Sequence, residues 1–185
     1  MQSCELVRRT SEMNVLPSTW AFKCKRRPDG LVKKFKAQFC VCGDRQKEGV
    51  DFFETHSPVA QWILIRVMMI LAAKLNLKSA QCDIIAAFLH TKLPEDEHIY
   101  VHQARGFRVN PTNDSNLPPS DFVYKLRRSQ YGLRQSPRYF FEYLSEKLEQ
   151  HGGLVPSAFN PWLFLSKKLV VIAYIYEITY IIYPY

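Results

Sequence analysis

The chain has 185 residues, 47% of them hydrophobic, with 25 Lys and Arg against 17 Asp and Glu for a net charge of +8. That apolar content excludes a disordered tail and is enough for one or two modest cores. The basic balance suits a phosphate-bearing partner, a property that many unrelated proteins share.

Residues 1–16 are polar and mixed, end near Pro17, and read as a linker remnant. Residues 19–25 and 32–42 are β-rich runs joined by Arg27-Pro28-Asp29-Gly30, a strong turn signal that predicts a basic hairpin. Alternation of Phe35, Ala37, Phe39 and Val41 leaves Lys34, Lys36 and Gln38 on the opposite, solvent-side face. Ser57-Pro58 supplies an N-cap and a first-turn proline, and Ile63, Val67, Ile70, Leu71 and Leu75 form a stripe that predicts a core-facing helix.

Residues 81–89 have the composition of a short buried strand carrying one carboxylate, Asp83, with a turn or helix beginning near Ala86. The stretch 108–121, with Pro111, Pro118 and Pro119, is a surface loop, and residues 122–126 are a strand. Ser136-Pro137 opens a second helix with Phe140, Phe141, Leu144 and Leu148 on its apolar face, and Gly152-Gly153 closes it. Residues 169–174 and 178–183 read as two strands joined by Ile175-Tyr176-Glu177. They are too short and too rich in β-branched and aromatic residues for a membrane span. With neither an internal repeat nor a second-domain linker, the class is α+β.

Cys4, Cys24, Cys40, Cys42 and Cys82 lack the paired spacing of a zinc site, and no signal-peptide pattern precedes them. They read as reduced thiols of an intracellular protein, cytoplasmic or nuclear rather than secreted. Cys40 and Cys42 share a strand face, as do His98 and His102, without a third ligand; structural or surface roles are the simpler reading.

The segment around Asp83, the run Ser129-Gln130-Tyr131-Gly132-Leu133-Arg134-Gln135-Ser136-Pro137-Arg138 and the terminal hairpin together resemble the copia-type (Pseudoviridae) retrotransposon reverse transcriptase. Further matches come in order: Trp20-Ala21-Phe22-Lys23, Asp29-Gly30, Lys36-Ala37, Gly43-Asp44-Arg45-Gln46, Gly49-Val50-Asp51-Phe52, Ser57-Pro58-Val59, Arg66 and Gly106-Phe107. The ordered series is specific where each match alone is weak. The resemblance implies the fingers and palm of a right-hand polymerase over residues 17–185, an antiparallel palm sheet packed on helices, and an end before the thumb. Implied partners are an RNA or DNA template with its primer and deoxynucleoside triphosphates, with no membrane.

Such an enzyme drives a 3′-hydroxyl onto an α-phosphate with two Mg²⁺ ions, which prefer carboxylate and other hard oxygen ligands. The resemblance makes Asp83 the leading metal ligand, adds the main-chain carbonyl of Ile84, and places Glu177 at the second position of the family's Tyr-Val-Asp-Asp motif. Tyr176 stands where that motif has its first Asp, and a neutral phenol is a poor ligand for a hard divalent ion. The resemblance further implies that Lys36 contacts the triphosphate, that Phe88 packs under the incoming sugar, and that Arg134 and Gln135 lie near nucleotide and template. Gln38 replaces the Arg of the family's Lys-Ala-Arg motif, which removes a bidentate phosphate fork. Gln130 replaces the usual Leu and Phe140 the usual Trp. The implied polymerase is therefore impaired in this copy; a nucleic-acid-binding module without chemistry and a non-functional retroelement relic remain as alternatives.

Overall fold

Residues at the very start of the sequence pair with residues near its middle: Cys4 through Arg8 are register partners of Leu126 through Phe122 in an antiparallel ladder. The computed structural model describes residues 3–58, 60–112, 114, 116–174 and 177–182, with the backbone alone for Tyr174, Glu177 and Ile182. In chain order the strands are β1 (Cys4–Arg8), β2 (Val15–Leu16), β3 (Ser18–Arg26), β4 (Val32–Val41), β5 (Lys78–Asp83), β6 (Tyr100–His102), β7 (Phe122–Leu126), β8 (Val155–Pro156), β9 (Leu163–Leu165), β10 (Leu169–Tyr174) and β11 (Glu177–Ile182). The helices are α1 (Trp62–Lys74) and α2 (Ser136–Gly152). They divide into two units, Met1–Thr55 with Phe88–Ser136, and His56–Ala87 with Pro137–Tyr185.

In the first unit the sheet order is β1-β7-β6-β2, antiparallel except for the β2–β6 pair. Leu16, Ile99, Val101, Phe122, Val123 and Leu126 are buried and make its core. The residues expected to be linker thus supply two strands. Their pairing is stabilised by main-chain bonds that a polar sequence makes as well as an apolar one, and by the Arg127–Glu5 ion pair. The predicted loop after β6 is held from inside by buried Gln103, whose Nε2 donates to the carbonyls of Val109, Pro119 and Phe122.

The hairpin β3–β4 forms a separate two-stranded ribbon. Its turn is closed by Gly30 N–H donating to Arg27 O at 2.9 Å, with Gly30 at φ +82° where glycine has no steric penalty. The register pairs Trp20 with Phe39, Phe22 with Ala37 and Cys24 with Phe35 on one face, and Lys23 with Lys36 and Lys25 with Lys34 on the other. The apolar face is covered at its base alone, where Trp20 meets Phe39 and Phe107 edge-on; Phe22 and Phe35 are each 77% exposed.

The second unit contains the antiparallel sheet β5-β11-β10-β9-β8. Trp162, Phe164, Val170, Val171, Ile172 and Ile181 are buried within it, and the Trp162 indole N–H donates to Pro58 O. Helix α2 follows its prediction, with Phe140 and Leu144 buried and Gly153 at φ +56° ending it. Helix α1 departs from its own. It starts at Trp62 rather than at Pro58, and Ile63, Val67, Ile70, Leu71 and Leu75 are exposed, Ala72 being its buried residue. Apolar side chains surround this helix on all sides, so the stripe at 3.6-residue spacing did not mark a distinct core face. Strand β5 is likewise exposed along its length, because it has one strand neighbour, β11, among the described residues. The result is a mixed α/β fold with antiparallel sheets. Among the described residues no helix is long and apolar enough to cross a membrane.

Candidate active site

The backbone brings Asp83 and Glu177 together. Strand β5 ends at Asp83 and β11 begins at Glu177, and the antiparallel ladder makes them direct register partners, followed by Cys82 with Ile178 and Gln81 with Thr179. β11 is held on its other side by β10, in which Tyr174 pairs with Glu177. Tyr176, the residue expected to replace a metal-binding Asp, lies outside the described residues. Asp83 is exposed and Ile84 half-buried just beyond the strand end. Three residues on, Ala86 takes φ +54°, a left-handed conformation that costs an alanine about 1–2 kcal/mol.

These donors suit a hard divalent ion that takes the rest of its ligands from substrate and water: two carboxylate residues on paired strand ends and a nearby main-chain carbonyl. They do not make a self-sufficient cage. Among the described residues there is no group of three or more His, Cys, Asp and Glu able to hold a metal by themselves. Cys40 and Cys42 fall on either side of the end of β4, and His98 precedes β6 while His102 lies in it.

The expected nucleotide-contacting residues belong to the other unit. Lys36 is exposed on β4 opposite Lys23. Phe88 is buried, with its ring edge-on to Tyr131 at 5.0 Å. Arg134 uses Nε to donate to Gly43 O at 2.8 Å, and its guanidinium lies 5.5 Å from the centre of the Phe52 ring. Gln135, expected beside the substrate, is wholly buried. Its Nε2 donates to Asp51 O at 2.9 Å and Glu97 Oε2 at 3.3 Å, and its Oε1 accepts from Gln46 Nε2 at 3.0 Å. With donors and acceptor engaged inside the protein, Gln135 is placed to brace the loop that carries Arg134.

The partners in that brace were missed from sequence. Buried Gln46 accepts the Arg134 N–H on Oε1, and Asp51 Oδ2 accepts from Lys47 N and Asn14 Nδ2. The signal was present in two of the ordered motifs, Gly43–Gln46 and Gly132–Gln135, which the fold stacks backbone to backbone. A Cβ on Gly43 would stand 2.0 Å from Gly132 O, and one on Gly132 would stand 2.0 Å from Val41 O. Both glycines are needed for that approach.

Burial, and secondarily the positive charges of Arg9 and Arg108, holds the His102 imidazole below its ordinary pKa. Burial pushes the thiols of Cys4 and Cys40 and the phenol of Tyr124 up.

Comparison with known proteins gives the same direction as the geometry. The family described as reverse transcriptase (RNA-dependent DNA polymerase) matches residues 1–180. The chain is 40% identical over 126 residues, 68% of its length, to the retrovirus-related Pol polyprotein from transposon TNT 1-94 of Nicotiana tabacum. It is 32% identical over 164 residues, 89% of its length, to the retrovirus-related Pol polyprotein from transposon RE1 of Arabidopsis thaliana. These alignments span 9% and 10% of those polyproteins, so the chain corresponds to about a tenth of the length of the curated relatives it matches. On the strength of a match that runs almost from end to end, the chain belongs to the copia-type family of retrotransposon reverse transcriptases.

Proposed function

We propose that this chain is the fingers and palm part, residues 17–185, of an RNA-directed DNA polymerase that adds deoxynucleotides to a primer on an RNA or DNA template. The observation that carries the reading is the register pairing of Asp83 with Glu177, which puts two carboxylate residues at adjacent strand ends. Mg²⁺ bound there would neutralise the triphosphate and favour attack by the primer's 3′-hydroxyl on the α-phosphate. Asp83, the Ile84 carbonyl and Glu177 would hold it. Lys36 would attract the triphosphate as a point charge, Arg134 would contact phosphate, and Phe88 would form the floor beneath the sugar. Gln135 would act as a positioning residue, since its amide is engaged with Asp51, Glu97 and Gln46.

Tyr176 in place of an Asp leaves this copy one carboxylate short, and an uncharged phenol does not gather divalent ions. The activity is therefore impaired, and the same substitution favours the second reading, a nucleic-acid-binding module that retains the fold. Primer extension on an RNA template with Mg²⁺ separates the two. The expected result is synthesis at or near background; robust synthesis abolished by Asp83→Ala would show that Glu177 suffices, and robust synthesis unaffected by that change would remove Asp83 from the site.

A further inference from the structure

We propose that the cavity between the loop at residues 92–98 and the end of β7 binds a small phosphate monoester of mononucleotide size. This goes beyond the polymerase reading, and none of the residues assigned a role there lines the cavity. Its volume is about 370 Å³, at the small end of the roughly 300–1,000 Å³ usual for ligand pockets and more than a bare phosphate needs. Positive charge gathers on it without acids to match. Lys92 and Arg128 are partners in an antiparallel bridge, so two like charges stand directly opposite each other. Lys125, half-buried on β7, has Glu5 as its cross-strand partner. Glu5 nonetheless gives its carboxylate to Arg127, accepting from Nε at 3.1 Å and from Nη2 at 2.5 Å. Among the described residues neither Lys92 nor Lys125 has an ion-pair partner. Arg128 is anchored through Nη1, which donates to Leu89 O at 3.3 Å and His90 O at 3.0 Å, while its Nε and Nη2 have no partner among the described residues. A cation half out of water without a counter-ion is costly, and a dianion bonded to all three groups offsets that cost.

The rest of the lining decides what carries the phosphate. Glu97 N–H donates to Pro94 O, closing a turn on which Glu95, Asp96 and Glu97 follow one another. Glu95 and Glu97 line the cavity. Glu97 accepts from Gln135 Nε2, whereas Glu95 has no hydrogen bond or ion pair among the described residues. A nucleic-acid strand laid across the cations would carry further phosphates toward this acidic turn, where like charge repels them. A monoester has a single charged end. With its phosphate on Lys92, Lys125 and Arg128, the hydroxyls of its sugar or the amino group of a base donate to the Glu95 carboxylate, which can only accept.

Equilibrium dialysis of the full chain against labelled adenosine 5′-monophosphate, without divalent ions, tests the site. The parent is expected to bind the nucleotide more tightly than inorganic phosphate or adenosine. Lys92→Gln with Lys125→Gln should weaken the nucleotide by about tenfold or more, and Lys92→Gln alone, at an exposed side chain, by about threefold. Glu95→Ala should cost the nucleotide about threefold and leave inorganic phosphate no weaker. Nucleotide affinity within twofold of the parent in the double lysine variant overturns the site. So does affinity that falls instead with Lys36→Gln, which would put the nucleotide at the proposed polymerase site. Inorganic phosphate bound as tightly as the nucleotide, or no binding of either at millimolar concentration, also overturns the proposal. A single-stranded oligonucleotide that displaces the nucleotide, and itself loses affinity in the double lysine variant, identifies nucleic acid as the occupant; that result overturns the monoester site and leaves the polymerase reading standing.

Discussion

Asp83, the last residue of β5, faces Glu177, the first residue of β11, across the edge of a five-stranded antiparallel sheet. Backbone pairing fixes this relationship. It will therefore persist through substitution of either side chain, so that each can be replaced to test its chemistry without moving the other.

On the proposed polymerase reading, a carboxylate placed at Tyr176 should act first on the metal. Tyr176→Asp is expected to raise Mg²⁺ affinity at the Asp83–Glu177 strand ends, read by calorimetry, by a larger factor than it raises primer extension. Gln38 would still limit nucleotide positioning. Equal gains in both would show that, on this reading, metal binding alone limits synthesis.

The stacked glycine loops predict an uneven mutational response. Gly43→Ala and Gly132→Ala each drive a methyl group into a backbone oxygen and should cost about 3 kcal/mol or more in urea unfolding. Gly49→Ala meets nothing within 4 Å and suffers its positive φ alone, about 1–2 kcal/mol. Similar losses at all three positions would contradict the packing described.

Gln135→Leu should destabilise the chain by about 1–3 kcal/mol, since it removes the shorter bonds to the Gln46 amide and the Asp51 carbonyl and leaves those two buried groups only the 3.4 Å bond between them. A surface substrate contact would instead leave the unfolding midpoint unmoved, and denaturant titration tells these apart.

The depressed His102 pKa sets a sign for acid stability. The folded state holds this imidazole neutral while the unfolded chain protonates it near its ordinary value of about 6.5. The folded form thus binds fewer protons, so this contribution is complete above that value and is lost as pH falls below it toward the lower folded pKa. Thermal melts of His102→Gln should lose less stability than the parent between about pH 7 and pH 5; parallel losses would place the acid sensitivity elsewhere.

Elements specified by neighbours in sequence were readable. The turn at Arg27–Gly30, the Ser136 start and Gly153 stop of α2, and the paired apolar runs of β10 and β11 each carry a local signal. Strands β1 and β2 were not readable, because Cys4 and Leu16 acquire their order from Leu126 and Val101 far along the chain. For α1 the 3.6-residue stripe was real but continuous with apolar residues on the other sides, so burial could not be read from it. At the site, the family resemblance named Asp83 and Glu177 together, and the β5–β11 ladder makes them register partners; the residue types alone set neither apart. Nothing nearby in sequence warns that Gln135 points inward, since Gln46 and Asp51, which hold it there, precede it by more than eighty residues.

The ribbon has a mechanical consequence. Its base is clamped, with Val41 N–H bonded to Tyr131 O, Cys42 N–H to Pro17 O, and Trp20 Nε1 to Arg105 O, while residues 21–37 touch so little that all are exposed. At about 3.4 Å per residue, the nine residues of β3 make a lever roughly 30 Å long. A tilt of about 10° at the clamp therefore swings the tip through about 5 Å at that spacing. Changes at Gly132 or Arg105 would thus be felt most strongly at the far end of the lever, beside Arg27 and Lys33, rather than where they are made.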